Sequence, residues 1–507
     1  MSQTPQPVDL NASAYKPSYY TLAVPHGAWT LLFNGVSSGL LRLPPDIYEE
    51  IRPFLGPERS RDAGYGRSEW QPRPFAIDEL PARLQKIFPE LLRGRFFVSA
   101  DDDEMDHLRT RTEYFKEHSP FLLTLTTTLD CNFDCYYCYE DKVPTMLTRQ
   151  RCDQVLDLIH REVEAKGHER LYVDWYGGEP MLNQDAIEYV SEKAIAYCDE
   201  RGISYKSSMV TNASVWPEDA REFVERVRLH YVQISIDGPP RHHNVRRGYK
   251  PGHDQEIDSF ERVAQTIDRL VGATRLHLRI NVDPGIGWSA LELIDICQER
   301  GWFRPDAKVY PYLAAIGPMT EQCGHLADST KIQAFQSEFD EIKQAFLEKA
   351  AKFIDPKGLR TMAYYPTTRR MNCSAVGDNT FMFGPDGLMY KCSLDVGFPG
   401  LAQGSLDELV GAPDGAEPPA REIKGSPLVV LPDKPAVGST KHDYGSYDPY
   451  EHERCSQCQY LPVCMGGCPK THFENNDFYI QRQSQHWENN FEHMVRNFAD
   501  SMAGHSV

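Results

Sequence analysis

At 507 residues, with 41% hydrophobic and 25% charged side chains, the chain has the length of about two to four domains and the composition of a globular protein. A formal charge of −19 removes the electrostatic case for a nucleic-acid or anionic-membrane partner. No run of about 18 apolar residues is present to span a bilayer, and residues 1–9 are polar and proline-rich, unlike a signal peptide, so a cytoplasmic protein is expected.

In chain order, residues 1–116 read as an N-terminal unit with a linker. Strands are expected at 19–24 and 29–33 around a turn at 25–27, then a strand at 40–43 and a helix at 45–55. A Gly- and Arg-rich loop at 56–73 leads to a helix at 77–92, a strand at 96–98 and a charged helical linker at 101–116. Strands followed by helices in this order match a winged-helix-like α+β domain. Residues 117–315 then alternate, with strands at 121–127, 171–175, 207–210, 231–236, 276–282 and 307–313 and helices between them. Such alternation implies a parallel sheet with right-handed crossovers. The expected fold class is α/β, a partial (β/α)6 TIM-like barrel with its site at the carboxyl ends of the strands. Residues 316–369 form a helical bridge. Residues 370–507 form a last domain, Cys-, Gly- and Pro-rich over 370–470, with a loop-like insertion at 405–450 and a closing helix at 479–502.

Thirteen cysteines in a reducing compartment point to metal binding or catalysis rather than disulfides. Cys152, Cys198 and Cys297 fall within barrel helices and read as packing residues. Cys131, Cys135 and Cys138 form CxxxCxxC directly after the first barrel strand. Three thiolates on one loop hold three irons of a cubane and leave the fourth open. A zinc loop or buried thiols are the alternative, although zinc normally takes a fourth ligand. Gly177, Gly178, Glu179 and Pro180 follow the second strand. Asn212 ends the third, Ser235 to Pro239 the fourth and Asn281 the fifth. His243 and Arg247, just beyond, serve a cap or salt bridge as readily as a ligand. Further on, Cys455, Cys458, Cys464 and Cys468 form CxxCx5CxxxC, preceded by Cys373 and by Gly387-x4-Cys392. Alone, that set reads equally as zinc or iron–sulfur.

Together these motifs resemble the radical S-adenosylmethionine (SAM) superfamily, over about residues 120–315. The family motif is CxxxCxφC with an aromatic φ, here Tyr137, followed by a GGEP element and an SIDGP segment. The resemblance implies a 4Fe–4S cluster on Cys131, Cys135 and Cys138, with SAM on its open iron and a 5′-deoxyadenosyl radical as the reactive product. It places Tyr137 near adenine, Gly177, Gly178, Glu179 and Pro180 around the SAM ammonium, and Asn212, Ser235 and Asn281 as polar SAM contacts. An external one-electron reductant of flavodoxin or ferredoxin type is implied as a partner.

The downstream cysteines resemble the SPASM extension, which carries two auxiliary Fe–S clusters. By that pattern Cys373, Cys392 and Cys468 serve the first, and Cys455, Cys458 and Cys464 the second. The chain departs from it in having no cysteine after 468. The gap is open to an Asp, His or Glu from 472–493, to Cys323, to substrate, or to nothing. SPASM enzymes mostly modify ribosomally made peptides, and the N-terminal unit resembles the winged-helix element that binds their leader segments. The expected function is oxidative peptide modification, such as a side-chain crosslink. The alternatives are formylglycine formation on a sulfatase, a small-molecule substrate, and metal binding without catalysis. The sulfatase branch has an Asp directly after the GxxxxC cysteine; here that residue is Ser393, with Asp395 two further on.

Overall fold

The computed structural model describes residues 12–503 except 57–66, 68–69, 254, 305, 327–328, 356–357, 359–365 and 413–440. Most of the insertion expected at 405–450, and part of the loop expected at 56–73, lie outside the described residues.

Strand β1 (Tyr15–Pro17) pairs antiparallel with β5 (Phe97–Ser99), and β2 (Thr21–His26), β3 (Trp29–Asn34) and β4 (Gly39–Leu43) form a separate antiparallel sheet. The hairpin tip lies at Gly27 and Ala28, because Pro25 stays in register opposite Thr30 and Gly27 supplies the left-handed φ of 59°. Helix α1 (Pro45–Ile51) is followed by α2 (Ala82–Arg93). The helix expected over 77–92 breaks at Pro81: Leu80 before it is extended, as a pre-proline residue prefers, which leaves only a 3-10 turn at Ile77–Glu79. Helix α3 (Glu104–Glu117) is capped by Asp103, whose carboxylate accepts from Met105 N and Asp106 N.

The central sheet contains the six expected strands: β6 (Phe121–Thr126), β7 (Arg170–Tyr176), β8 (Ser204–Thr211), β9 (Leu229–Ser235), β10 (Arg275–Val282) and β11 (Val309–Ala315). All six are parallel and adjacent in sequence order. They alternate with α4 (Arg149–Lys166), α5 (Gln184–Arg201), α6 (Ala220–Arg226), α7 (Pro240–Arg246), α8 (Ser259–Leu270) and α9 (Glu292–Glu299). Helix α10 (Ser329–Ala350) follows in the bridge. One large core lies between strands and helices, with Trp175, Phe223 and Cys297 fully enclosed and Cys152 and Cys198 beside them.

The sheet does not stop at six strands. From the cysteine-rich segment, β12 (Thr380–Phe383) pairs parallel with β6, and β13 (Leu388–Tyr390) and β14 (Gly404–Ser405) continue antiparallel. This covers the β6 edge, whose backbone groups would otherwise stand open to another chain, and brings Cys373 and Cys392 alongside the parallel strands.

The closing helix (Asp477–Ala503) packs across the β2–β4 sheet. Val24, Leu31 and Phe33 meet Tyr460, Val463, Trp487 and Phe491 in one apolar cluster. The N-terminal unit is thus docked on the second cysteine set. Among the described residues no helix is long and apolar enough to cross a membrane.

Candidate active site

After β6 the chain enters the loop carrying Cys131, Cys135 and Cys138, and the end of β7 clamps it. A Cβ on Gly177 or Gly178 would lie 2.3 Å from the carbonyl oxygen of Thr128 or Asp130, respectively, and Gly177 has φ of 141°. Through that clearance Gly178 N donates to Thr128 O (3.1 Å) and Glu179 N to Asp130 O (2.8 Å). The close approach that the two glycines permit is therefore made to the backbone of the cysteine loop. On the other side Asp134 N donates to Gly248 O (2.8 Å), Lys250 N donates to Asn132 O (2.9 Å), and Lys250 Nζ pairs with Asp130 at 2.7 Å.

The three thiols are held in a poorly solvated environment. Burial, reinforced by Cys135 and Glu179, pushes the Cys131 thiol up to about 12. Burial also raises Cys135 against the opposing charges of Arg247 and Lys142, and it raises Cys138 with Glu140 adding to the effect. Loading with metal must displace these protons. Asn212 Nδ2 points at Cys131 Sγ (3.6 Å) and donates to Asn132 Oδ1 (2.9 Å). Among the described residues no three His, Cys, Asp or Glu side chains close on a point as the ligands of one ion would. The donors on this loop are three thiols, the ligand type of an iron–sulfur cluster.

Glu179 is fully buried at the same strand ends. It accepts from Thr211 Oγ1 (2.7 Å), Asn212 N (2.6 Å) and Met181 N (3.0 Å). Burial outweighs these bonds and pushes its carboxyl up to about 7. Pro180 starts the 3-10 turn that follows. Glu140, just past Cys138, is pushed up to about 8 by burial.

Tyr137 anchors a second network. Its hydroxyl donates to Asp237 and accepts from Arg247 Nη1 (2.6 Å) and Asn281 Nδ2 (3.1 Å). Asn281 N also donates to Asp237 Oδ1 at 3.0 Å. Asp237 N donates to His243 Nδ1 (3.1 Å), and burial with Arg247 and Arg246 nearby keeps that imidazole neutral. His243 is thus a buried brace for the turn after β9, whereas Arg247 reaches into the site. The half-buried Ser235 hydroxyl makes no hydrogen bond among the described residues.

The two cysteine regions meet through tyrosines. Tyr139, next to Cys138, hydrogen-bonds Tyr176 hydroxyl to hydroxyl, and Tyr176 also meets Ser393, next to Cys392. Beyond them the remaining cysteines fall into two electrostatic neighbourhoods. Cys468 interacts with both Cys373 and Cys392. Cys455, Cys458 and Cys464 interact with one another, and burial pushes Cys455 and Cys458 up to about 11 and 12. Cys323 is fully buried in a turn of its own, its sulfur accepting from Met319 N (3.1 Å) and Thr320 N (3.3 Å).

Beside Cys392 and Cys468 lies a buried ionic network. Lys470 Nζ, fully enclosed, meets Asp395 Oδ1 at 2.5 Å and Glu474 Oε1 at 3.1 Å. Tyr444 donates to the other Asp395 oxygen at 2.8 Å. Asp395 is therefore committed to structure. Tyr176, Asp237 and Arg247 stand in or beside the sequence motifs, and that position is their signal, whereas nothing local in the sequence marks Lys470 or Glu140.

Residues 125–295 match the family model "Radical SAM superfamily". The radical SAM cyclopropyl synthase TigE of Paramaledivibacter caminithermalis is 22% identical over 252 residues, 45% of this chain and 50% of that protein. The chain spans about half the length of two of the curated relatives it matches. A cysteine-type anaerobic sulfatase-maturating enzyme of Clostridium perfringens is 20% identical over 394 residues, 74% of this chain and 97% of that protein. Among solved structures, native anSMEcpe with bound AdoMet has a TM-score of 0.53 at 16% identity, over 76% of this chain and all of that one.

Proposed function

We propose, from the premise that this chain carries a radical SAM domain and resembles SPASM-type maturases, that it is an oxidoreductase that modifies a peptide through a radical. A 4Fe–4S cluster with SAM on its open iron, when bound, supplies the reductive cleavage of SAM to a 5′-deoxyadenosyl radical. Cys131, Cys135 and Cys138 would hold that cluster, and Asn212 would orient Cys131. Glu179 would pair with the SAM ammonium once ionised. Gly177 and Gly178 would keep the cysteine loop pressed to the sheet, and Pro180 would set the turn beyond. Tyr137, held by Asp237, Arg247 and Asn281, would line the adenine side, with Ser235 free to bond SAM. The observation that carries this reading is the clamp itself: a glycine pair locked to the cysteine loop, with a buried carboxylate on the next residue.

Three features favour a peptide substrate. The second cysteine set falls into two groups that match the ligand pattern of two auxiliary clusters: Cys373, Cys392 and Cys468, and Cys455, Cys458 and Cys464. A three-stranded sheet, read as winged-helix-like, is docked beside it, and its outer strand β4 pairs with no further strand among the described residues, a template for a leader segment to add a strand. The fold is also one that, in a solved relative, holds AdoMet and the Cp18Cys peptide together. Formylglycine formation is disfavoured because Asp395 is tied to Lys470 and Tyr444.

The test is anaerobic reconstitution with SAM and a one-electron reductant, read as 5′-deoxyadenosine, followed by co-expression with a short peptide encoded beside this chain. A mass loss of two hydrogens per modification supports the peptide reading. Production of 5′-deoxyadenosine with no change in any such peptide removes it, and no 5′-deoxyadenosine at all returns the chain to metal binding without catalysis.

A further inference from the structure

Cys455, Cys458 and Cys464 open into a cavity of about 360 Å³, and the far wall is the closing helix, which presents Gln483, Ser484, Trp487 and Glu488. A cubane held by protein alone takes four donors, and this set has three thiols. The polar groups on the facing wall differ in what they already do. Ser484 Oγ donates back to Ile480 O at 3.1 Å. Gln483 Oε1 accepts from Cys468 N at 3.0 Å. On the near side, His472 Nε2 is bound to Gly466 O at 2.6 Å, and its ring lies against that of His452, tilted by 33° with centroids 4.3 Å apart.

Glu488, on the closing helix, carries none of these bonds. Its carboxylate makes no hydrogen bond among the described residues, and its ion pair with Arg454 is long, at 3.7 Å, with 27% of the side chain exposed. The residue before it, Trp487, bonds Cys464, which fixes the register of the helix against the thiols. The Glu488 charge is felt at Cys458 across the same cavity. A carboxylate on a flexible stem, uncommitted and facing three thiols, is a donor awaiting an acceptor.

We infer that Glu488 is the fourth protein ligand of the group held by Cys455, Cys458 and Cys464, a carboxylate oxygen in place of a fourth thiolate. This rests on the reading that these cysteines bind an iron–sulfur cluster. A carboxylate carries the same charge as a thiolate, so the balance of the site is kept, with Arg454 beside it. Oxygen is the harder and weaker donor to iron, so the iron it holds is the labile one and the potential is higher than with four thiolates.

The test uses full-length protein, reconstituted anaerobically, as wild type and as Glu488→Ala, Glu488→Cys, His472→Ala and Cys458→Ala. Iron and sulfide content, EPR spectra and cluster potentials are read alongside SAM cleavage. The inference expects Glu488→Ala to lose iron from one cluster or to give a three-iron EPR signal on mild oxidation, with SAM cleavage retained. Glu488→Cys should restore full iron and lower that cluster's potential, a gain that a folding defect does not produce. Wild-type iron, spectra and potential in Glu488→Ala and Glu488→Cys, with a cluster lost in Cys458→Ala, overturn the ligand assignment alone. So does a nitrogen coupling in pulsed EPR that vanishes in His472→Ala. Full iron in Cys458→Ala overturns the cluster reading beneath it.

Discussion

The two cysteine regions are built by opposite means. The loop at 131–138 is local: its donors lie within eight residues, and backbone bonds brace it from Gly178 and Glu179 after β7 and from Gly248 and Lys250 after α7. The second set is gathered from afar. Cys373 and Cys392 arrive with β12 and β13, the 455–468 run turns back through left-handed Met465, Gly466 and Gly467, and the closing helix and N-terminal sheet cover it. The first site is a property of the barrel, whereas the second exists only when distant segments dock. Damage to one should therefore leave the other readable.

Gly178→Ala is the harshest break on the barrel side. Its Cβ would stand 2.3 Å from the Asp130 carbonyl, a backbone atom that cannot swing aside. The expected outcome is near-complete loss of 5′-deoxyadenosine formation, with iron at the second set retained. Wild-type turnover in that variant would show the clamp to be dispensable.

On the assembled side the corresponding break is Lys470→Met. It strands Asp395 and Glu474 as buried charges, which costs about 3–5 kcal/mol when one partner of a buried pair is removed. Denaturant melts should show that loss against wild type, with 5′-deoxyadenosine formation retained. Wild-type stability in Lys470→Met would show the buried pair to be dispensable.

A gentler probe sharpens the contrast. Burial pushes Glu179 up to about 7, so it is largely protonated just below that pH and ionised above it. Only the ionised form attracts an ammonium. SAM affinity should therefore rise with pH through neutrality and level off above it, falling by up to about tenfold per unit on the acid side. Titration calorimetry on Glu179→Gln should show the step removed. A persistent step would assign it elsewhere, with Glu140, pushed up to about 8, the next group to test.

Much of the barrel side was legible because motif and strand coincide: each polar motif ends a strand whose apolar residues announce it. The side-chain network was not. Tyr137, Asp237, Arg247 and Asn281 stand far apart in the chain and converge only through the parallel order of β9 and β10. Strands β12 to β14 escaped notice because four, three and two residues among glycines and prolines carry no period. The helix expected through Pro81 was a propensity reading that one ring overruled. In the second set the cysteines were visible, but Lys470 reads as a surface lysine until Asp395, 75 residues earlier, is seen beside it.

The central claim is a division of labour between these two regions, and one experiment bears on it most directly. It measures 5′-deoxyadenosine from SAM and reductant in Cys131→Ala and Cys458→Ala, both folded and reconstituted without oxygen. The account predicts none from Cys131→Ala and a near wild-type yield from Cys458→Ala, with any product on the peptide absent. Abolished SAM cleavage in a folded Cys458→Ala, or persistent cleavage in Cys131→Ala, would contradict it.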